Sequence, residues 1–156
     1  MKKVVLALVV ITLLVGGAGA YFFLVHRPNS PGPRYMQIDA LRKLEEPQKE
    51  TLLKAWRDLL ANDQFMDRVV EEGKLEQVSG IEKKRLIEEL RERALINFPR
   101  RRGLQIGFDG KRKEEAWLNK SAEMFFAGGV SVMKQVKPDV AKLMMLQEEE
   151  SSVPGL

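Results

Sequence analysis

Apolar and polar positions divide this chain into two unlike parts. Residues 4–25 read VVLALVVITLLVGGAGAYFFLV and contain no charged side chain. As a helix rising ~1.5 Å per residue, these 22 residues are ~33 Å long, close to the ~30 Å hydrocarbon core of a bilayer. Beyond them the apolar residues thin out into short periodic stripes among charges. That pattern belongs to helices with one buried face.

Two readings compete for the first segment. In one it is a permanent single-pass anchor. In the other it is a secretory signal peptide, with Lys2 and Lys3 as its basic start and Ala18-Gly19-Ala20 as a small-residue cleavage site. The anchor is favoured because Tyr21, Phe22, Phe23, Leu24 and Val25 continue the apolar run past that site. Gly16, Gly19 and Ala20 make one side of the helix thin, which suits close packing against a second membrane helix. The short N-terminal side favours the cytoplasm. The rest of the chain would then lie on the non-cytoplasmic face, in the periplasm if the cell is bacterial.

The expected organisation is a transmembrane anchor over 1–26, a proline-rich tether over 27–34, a helical soluble domain over 35–147 and a flexible acidic tail over 148–156. The expected fold class is all-α, with four to six helices after the anchor. Residues 35–43 are ambiguous, with Ile38, Leu41 and Leu44 spaced for the edge of a short helix. Pro47 suits the start of the next helix, since its missing N–H is not needed there. Leu52, Leu53, Trp56, Leu59 and Leu60 share one face. Asn62 and Asp63 interrupt and offer a cap for the next helix, in which Phe65, Met66, Val69 and Val70 form another stripe ending near Gly73.

Ser79 and Glu82 have the spacing of a capping box, which predicts a helix from Gly80 to about Asn97. Its stripe is Ile81, Leu86, Ile87, Leu90, Ala94 and Leu95. Around Leu104, Ile106 and Phe108 the alternation fits a short strand, but a lone strand leaves its edges unpaired, so an ordered loop is favoured. The last long helix is expected from residues 111–115 to about Lys137, with Asp109 as a cap. Gly128 and Gly129 in its middle demand either a close helix crossing or a break. Pro138 opens a final turn or helix carrying Val140, Leu143, Met144 and Leu146.

Candidate chemistry is sparse. The chain has no cysteine and one histidine, His26, which removes thiol catalysis and thiolate metal sites. Glu89 and Glu92 have no histidine beside them and read as a solvated face. The glycines at 103, 107 and 110 lack the strand–loop–helix spacing that cradles a phosphate. No catalytic, metal or cofactor residue is assigned; an enzyme built on acidic residues that meet only in space is the least favoured class.

The formal net charge is only +4, so local clusters matter more than the total. Arg100, Arg101, Arg102, Lys111, Arg112 and Lys113 read as six cations around one loop, a candidate contact for anionic lipid or an acidic partner. The bland alternative is a solvated loop paired with nearby acids. Nucleic acid is disfavoured, because no binding motif accompanies the cations. Trp117, Phe125, Phe126 and Met133 read either as core or as a docking surface. The expected role is a non-catalytic, membrane-anchored accessory or scaffold subunit, joined to a membrane protein complex or to a second copy. The alternative is a secreted or anchored binding module acting through the basic loop of residues 100–113.

Overall fold

The computed structural model describes residues 34–100 and 102–145. The expected anchor, the tether before Arg34 and the acidic tail lie outside the described residues, as do Gly16, Gly19, Ala20 and Arg101. Among the described residues no helix is long and apolar enough to cross a membrane.

The fold is mostly helical with a small three-stranded antiparallel sheet. The chain runs through strand β1 (Arg34–Ile38), a 3-10 turn (Asp39–Lys43) and helices α1 (Glu46–Ala61), α2 (Asp63–Glu72), α3 (Leu75–Ser79) and α4 (Lys83–Glu92). Strands β2 (Ala94–Asn97) and β3 (Leu104–Phe108) follow, then a second 3-10 turn (Arg112–Glu114) and helices α5 (Glu115–Val136) and α6 (Pro138–Met145). β3 is the central strand, in the order β1-β3-β2.

The sheet corrects the all-α expectation at three places. Residues 34–38 pair with β3 from Arg34 opposite Phe108 to Ile38 opposite Leu104, where a helix edge was expected. Ala94 and Leu95 leave the expected helix stripe and pair with Phe108 and Gly107. Residues 104–108 are a strand and not a loop, and their edges are met by partners 66 or more residues upstream on one side, as for Ile38 and Leu104. Three short strands thus satisfy one another's backbone groups, which none of them could do alone.

Helix ends follow local chemistry with two exceptions. Asn62 Oδ1 accepts the Phe65 N–H at 2.9 Å and caps α2, and Gly73 closes it. The capping box at Ser79 does not form. Gly80 has φ of +70°, a left-handed turn, and Ser79 Oγ accepts from Ile81 at 3.1 Å instead. Helix α4 then starts later, where the Lys83 N–H is accepted by Glu76 Oε1 at 2.7 Å. Asp109 does not cap α5 either. Its side chain accepts from Gly110 at 2.8 Å, while its own N–H extends the ladder to the Arg93 carbonyl at 2.8 Å.

Helix α5 lies at the centre, against the sheet on one side and α2, α3 and α6 on others. The helix runs unbroken through Gly128 and Gly129. Trp56 of α1, fully buried, packs where a Cβ on Gly129 would overlap its ring. Its ring stacks on Phe126 at 5.7 Å and tilts against Phe125 at 5.6 Å. Phe125 also meets Phe65 and Phe108 edge-on, so one aromatic cluster joins α1, α2, α5 and β3.

Candidate functional site

The cations read as one loop are divided by β3. Arg100 and Arg102 precede the strand and Lys111, Arg112 and Lys113 follow it. The four steps from Leu104 to Phe108 place ~13 Å of extended backbone between the groups. They therefore occupy opposite ends of the sheet, and the single basic loop over residues 100–113 is corrected to two separate clusters.

The two clusters are held differently. At the first end, a turn closes through the Arg102 N–H to the Pro99 carbonyl at 3.1 Å. Arg102 Nη1 donates a long 3.5 Å bond to Gln37 Oε1. Gly103 fits against the Ile38 backbone, where a Cβ would overlap the Ile38 carbonyl oxygen, and its N–H points at Asp39 Oδ1 at 3.4 Å. Arg42 and Lys43 lie on the 3-10 turn that follows β1 at this same end.

At the other end the turn is fixed by several bonds. Glu114 accepts the Lys111 N–H at 2.8 Å and the Arg93 guanidinium at 3.2 Å. Arg93 also pairs with Glu89 at 3.0 Å and lies over the Trp117 ring at 5.7 Å. Gly110 touches α5 so closely that a Cβ would overlap Leu118. Burial pushes the Glu114 carboxyl upward, but the Lys111 N–H and the Arg93 charge outweigh it and hold it below the usual carboxylate range. Lys111, Arg112 and Lys113 are all exposed on this pinned turn. A groove beside it is lined by Glu92, Arg93, Asp109, Gly110, Lys111 and Glu114.

The candidate docking residues do not form a surface. Trp117, Phe125 and Met133 are core residues and Phe126 is half-buried against Trp56. Their stripe is consumed by packing within the domain, which corrects the docking reading. Val136, near the end of α5, is the most exposed large apolar side chain at 69 %.

One polar cluster was missed in the sequence. Lys83 sits between Asp67 at 3.1 Å and Glu71 at 2.7 Å. Its hydrogen bonds to Glu71, and then to Asp67, hold the ammonium above the ordinary lysine value. The spacing of these residues carries no periodic signal, because α2 and α4 meet only in the folded chain. Glu89 lies between Arg85 and Arg93 with its side chain only 19 % exposed, so it is half-buried in ion pairs and not part of the solvated face expected from the sequence. Among the described residues no group of three or more His, Cys, Asp or Glu side chains is placed to hold a metal. No family model, curated protein or solved structure matches the chain.

Proposed function

We propose that this chain is a membrane-anchored accessory or scaffold subunit without catalysis of its own, which holds a small folded domain close to a membrane surface. One observation carries the reading: the uncharged run of 22 residues ends eight residues before the first strand. A domain attached so closely to a bilayer meets other membrane proteins at high effective concentration, so weak contacts suffice for assembly. Gly16, Gly19 and Ala20 are the proposed packing side of the anchor, against a partner helix or a second copy. The domain lies on the non-cytoplasmic face in this reading.

The test is purification of the native protein in mild detergent, with its N-terminus mapped and its companions identified by mass spectrometry. An intact Met1 and a defined set of membrane proteins support the proposal. A chain beginning at Tyr21 and recovered alone overturns it. Gly16→Leu is expected to release the partners while leaving the domain's thermal unfolding unchanged; retention of the complex removes the helix-packing part.

A second reading is favoured by the exposure of Arg100, Arg102, Lys111, Arg112 and Lys113. Under it the protein is a secreted or anchored binding module for anionic lipid or an acidic partner. Glutamate at positions 100–102 separates the readings: binding lost only at low salt supports the module, and unchanged binding supports the scaffold.

A further inference from the structure

The strand register fixes which end of the domain is tied to the N-terminal segment. Arg34 is opposite Phe108, and Phe108 is opposite Ala94. The N-terminal segment therefore joins the domain at the sheet end that carries Arg93, Asp109 and the pinned turn with Lys111, Arg112 and Lys113. Ile38, Leu104 and Asn97 mark the far end, with Arg100 and Arg102. Eight residues lie between Val25 and Arg34, three of them prolines. At full extension they span roughly 28 Å.

We infer that Lys111, Arg112 and Lys113 dock this end of the domain on the anionic lipid headgroups of the membrane that anchors the chain, while Arg100 and Arg102 lie at the end away from it. The inference rests on the membrane-anchored reading and adds to it an orientation and a ligand. Basic side chains near an anionic leaflet are attracted individually, and the attraction decays within a Debye length. The tether keeps the turn within reach of that surface. The turn is also presented rigidly: Gly110 is pressed on Leu118, and Glu114 holds the Lys111 backbone and Arg93. Little side-chain or loop freedom remains to be lost on docking beyond that of the three cations themselves.

The acids at this end were weighed against the cations. Glu114 and Glu89 are matched by Arg93. Glu92 and Asp109 are further acids beside the turn, and Arg34 occupies the register position opposite Phe108 at this end. The net attraction is thus smaller than three free cations would give. A change of about tenfold in docked population between anionic and neutral membranes is expected.

The absence of cysteine permits single-site labelling of the full chain. Ala116→Cys places a fluorophore beside the pinned turn, and Ala40→Cys places one at the far end; both residues are exposed. Each labelled chain is reconstituted into vesicles of phosphatidylcholine, alone or with phosphatidylglycerol, containing a headgroup-attached nitroxide quencher. Quenching at position 116 should rise with phosphatidylglycerol and fall with added salt. It should be lost in the Lys111→Glu, Arg112→Glu, Lys113→Glu variant, whereas position 40 stays unquenched throughout. The salt titration of the unreversed chain stands by itself if the triple variant does not fold. Equal quenching at both positions, or quenching at 116 indifferent to lipid charge and salt, overturns the orientation. Alkaline extraction of the same vesicles separates the two failures: a chain that is stripped off overturns the anchor as well, and one that stays with the vesicles while both labels remain bright overturns the orientation alone.

Discussion

The seating of Trp56 from α1 against α5 and the return of β3 along β1 both depend on a glycine, and they differ in what comes near it. At Gly129 the neighbour is a side chain, the buried ring of Trp56. At Gly103 it is backbone, the Ile38 carbonyl. A side-chain contact can be relieved by trimming the partner. A backbone contact cannot, because every residue placed at 38 brings the same carbonyl. The contact at Gly129 is therefore a packing solution and the strand return a geometric one. Substitutions at the two places should fail in different ways.

The largest effect is expected at Trp56. Trp56→Ala removes a fully buried indole and should cost about 4 kcal/mol by chemical denaturation. Its Nε1 is buried without a hydrogen-bond partner among the described residues, so the stabilisation comes from ring packing and not from that N–H. Gly129→Ala should cost about 2 kcal/mol in the unaltered protein, because overpacking outweighs the helix propensity gained. In the Trp56→Ala background the overlap is gone, and the same substitution should stabilise by about 1 kcal/mol. A change of sign between backgrounds is the signature of a relievable contact; additive effects would remove the claimed coupling.

Gly103→Ala is expected to cost about 2 kcal/mol, with Ile38→Ala giving no relief in the double variant. Relief by Ile38→Ala would mean that side chains and not backbone set the spacing there, and the comparison would collapse. Arg91 should matter less. It donates to the carbonyls of Leu60 at 3.0 Å and Ala61 at 3.2 Å and to Asp63 at 2.7 Å, tying α4 to the α1–α2 corner. Arg91→Met should cost about 1.5 kcal/mol in thermal unfolding. An unchanged midpoint would show that water replaces those bonds without loss.

The same contrast explains how much of the fold was legible. Helices declare themselves locally. The stripe over Leu52 and Trp56 and the cap at Asn62 were each readable from neighbours within a turn or two. Gly128 and Gly129 foreshadowed close packing on α5, which the rings of Phe65 and Trp56 supply. Strands are settled by partners far away in sequence. Nothing near Tyr35 or Leu95 announces Gly107, which pairs with both. Ala94 and Leu95 continue the helical period of α4 closely enough to be counted with it, and only pairing with β3 draws them off. The basic clusters suffered from the same blindness. Six cations within fourteen positions look like one patch until a strand is placed between them.

The smallest effect, and the one that reads the pinned turn most directly, belongs to Glu114. Its carboxyl is held below the usual range because the bond from the Lys111 N–H and the nearby Arg93 charge outweigh its burial. A carboxylate with a lowered folded-state pKa contributes stability that is complete above its unfolded value, about 4.3, and is lost as pH falls through the folded value. Glu114→Gln keeps the shape and removes the charge. It should therefore unfold earlier than the unaltered protein at pH 7, by about 1 kcal/mol, and the gap should close as the pH falls below about 4. A gap that stays the same at every pH would mean that the Glu114 charge does not hold the turn after β3. The rigid presentation of Lys111, Arg112 and Lys113 would then lose its electrostatic basis, which rests on the Glu114 bonds to Lys111 and Arg93.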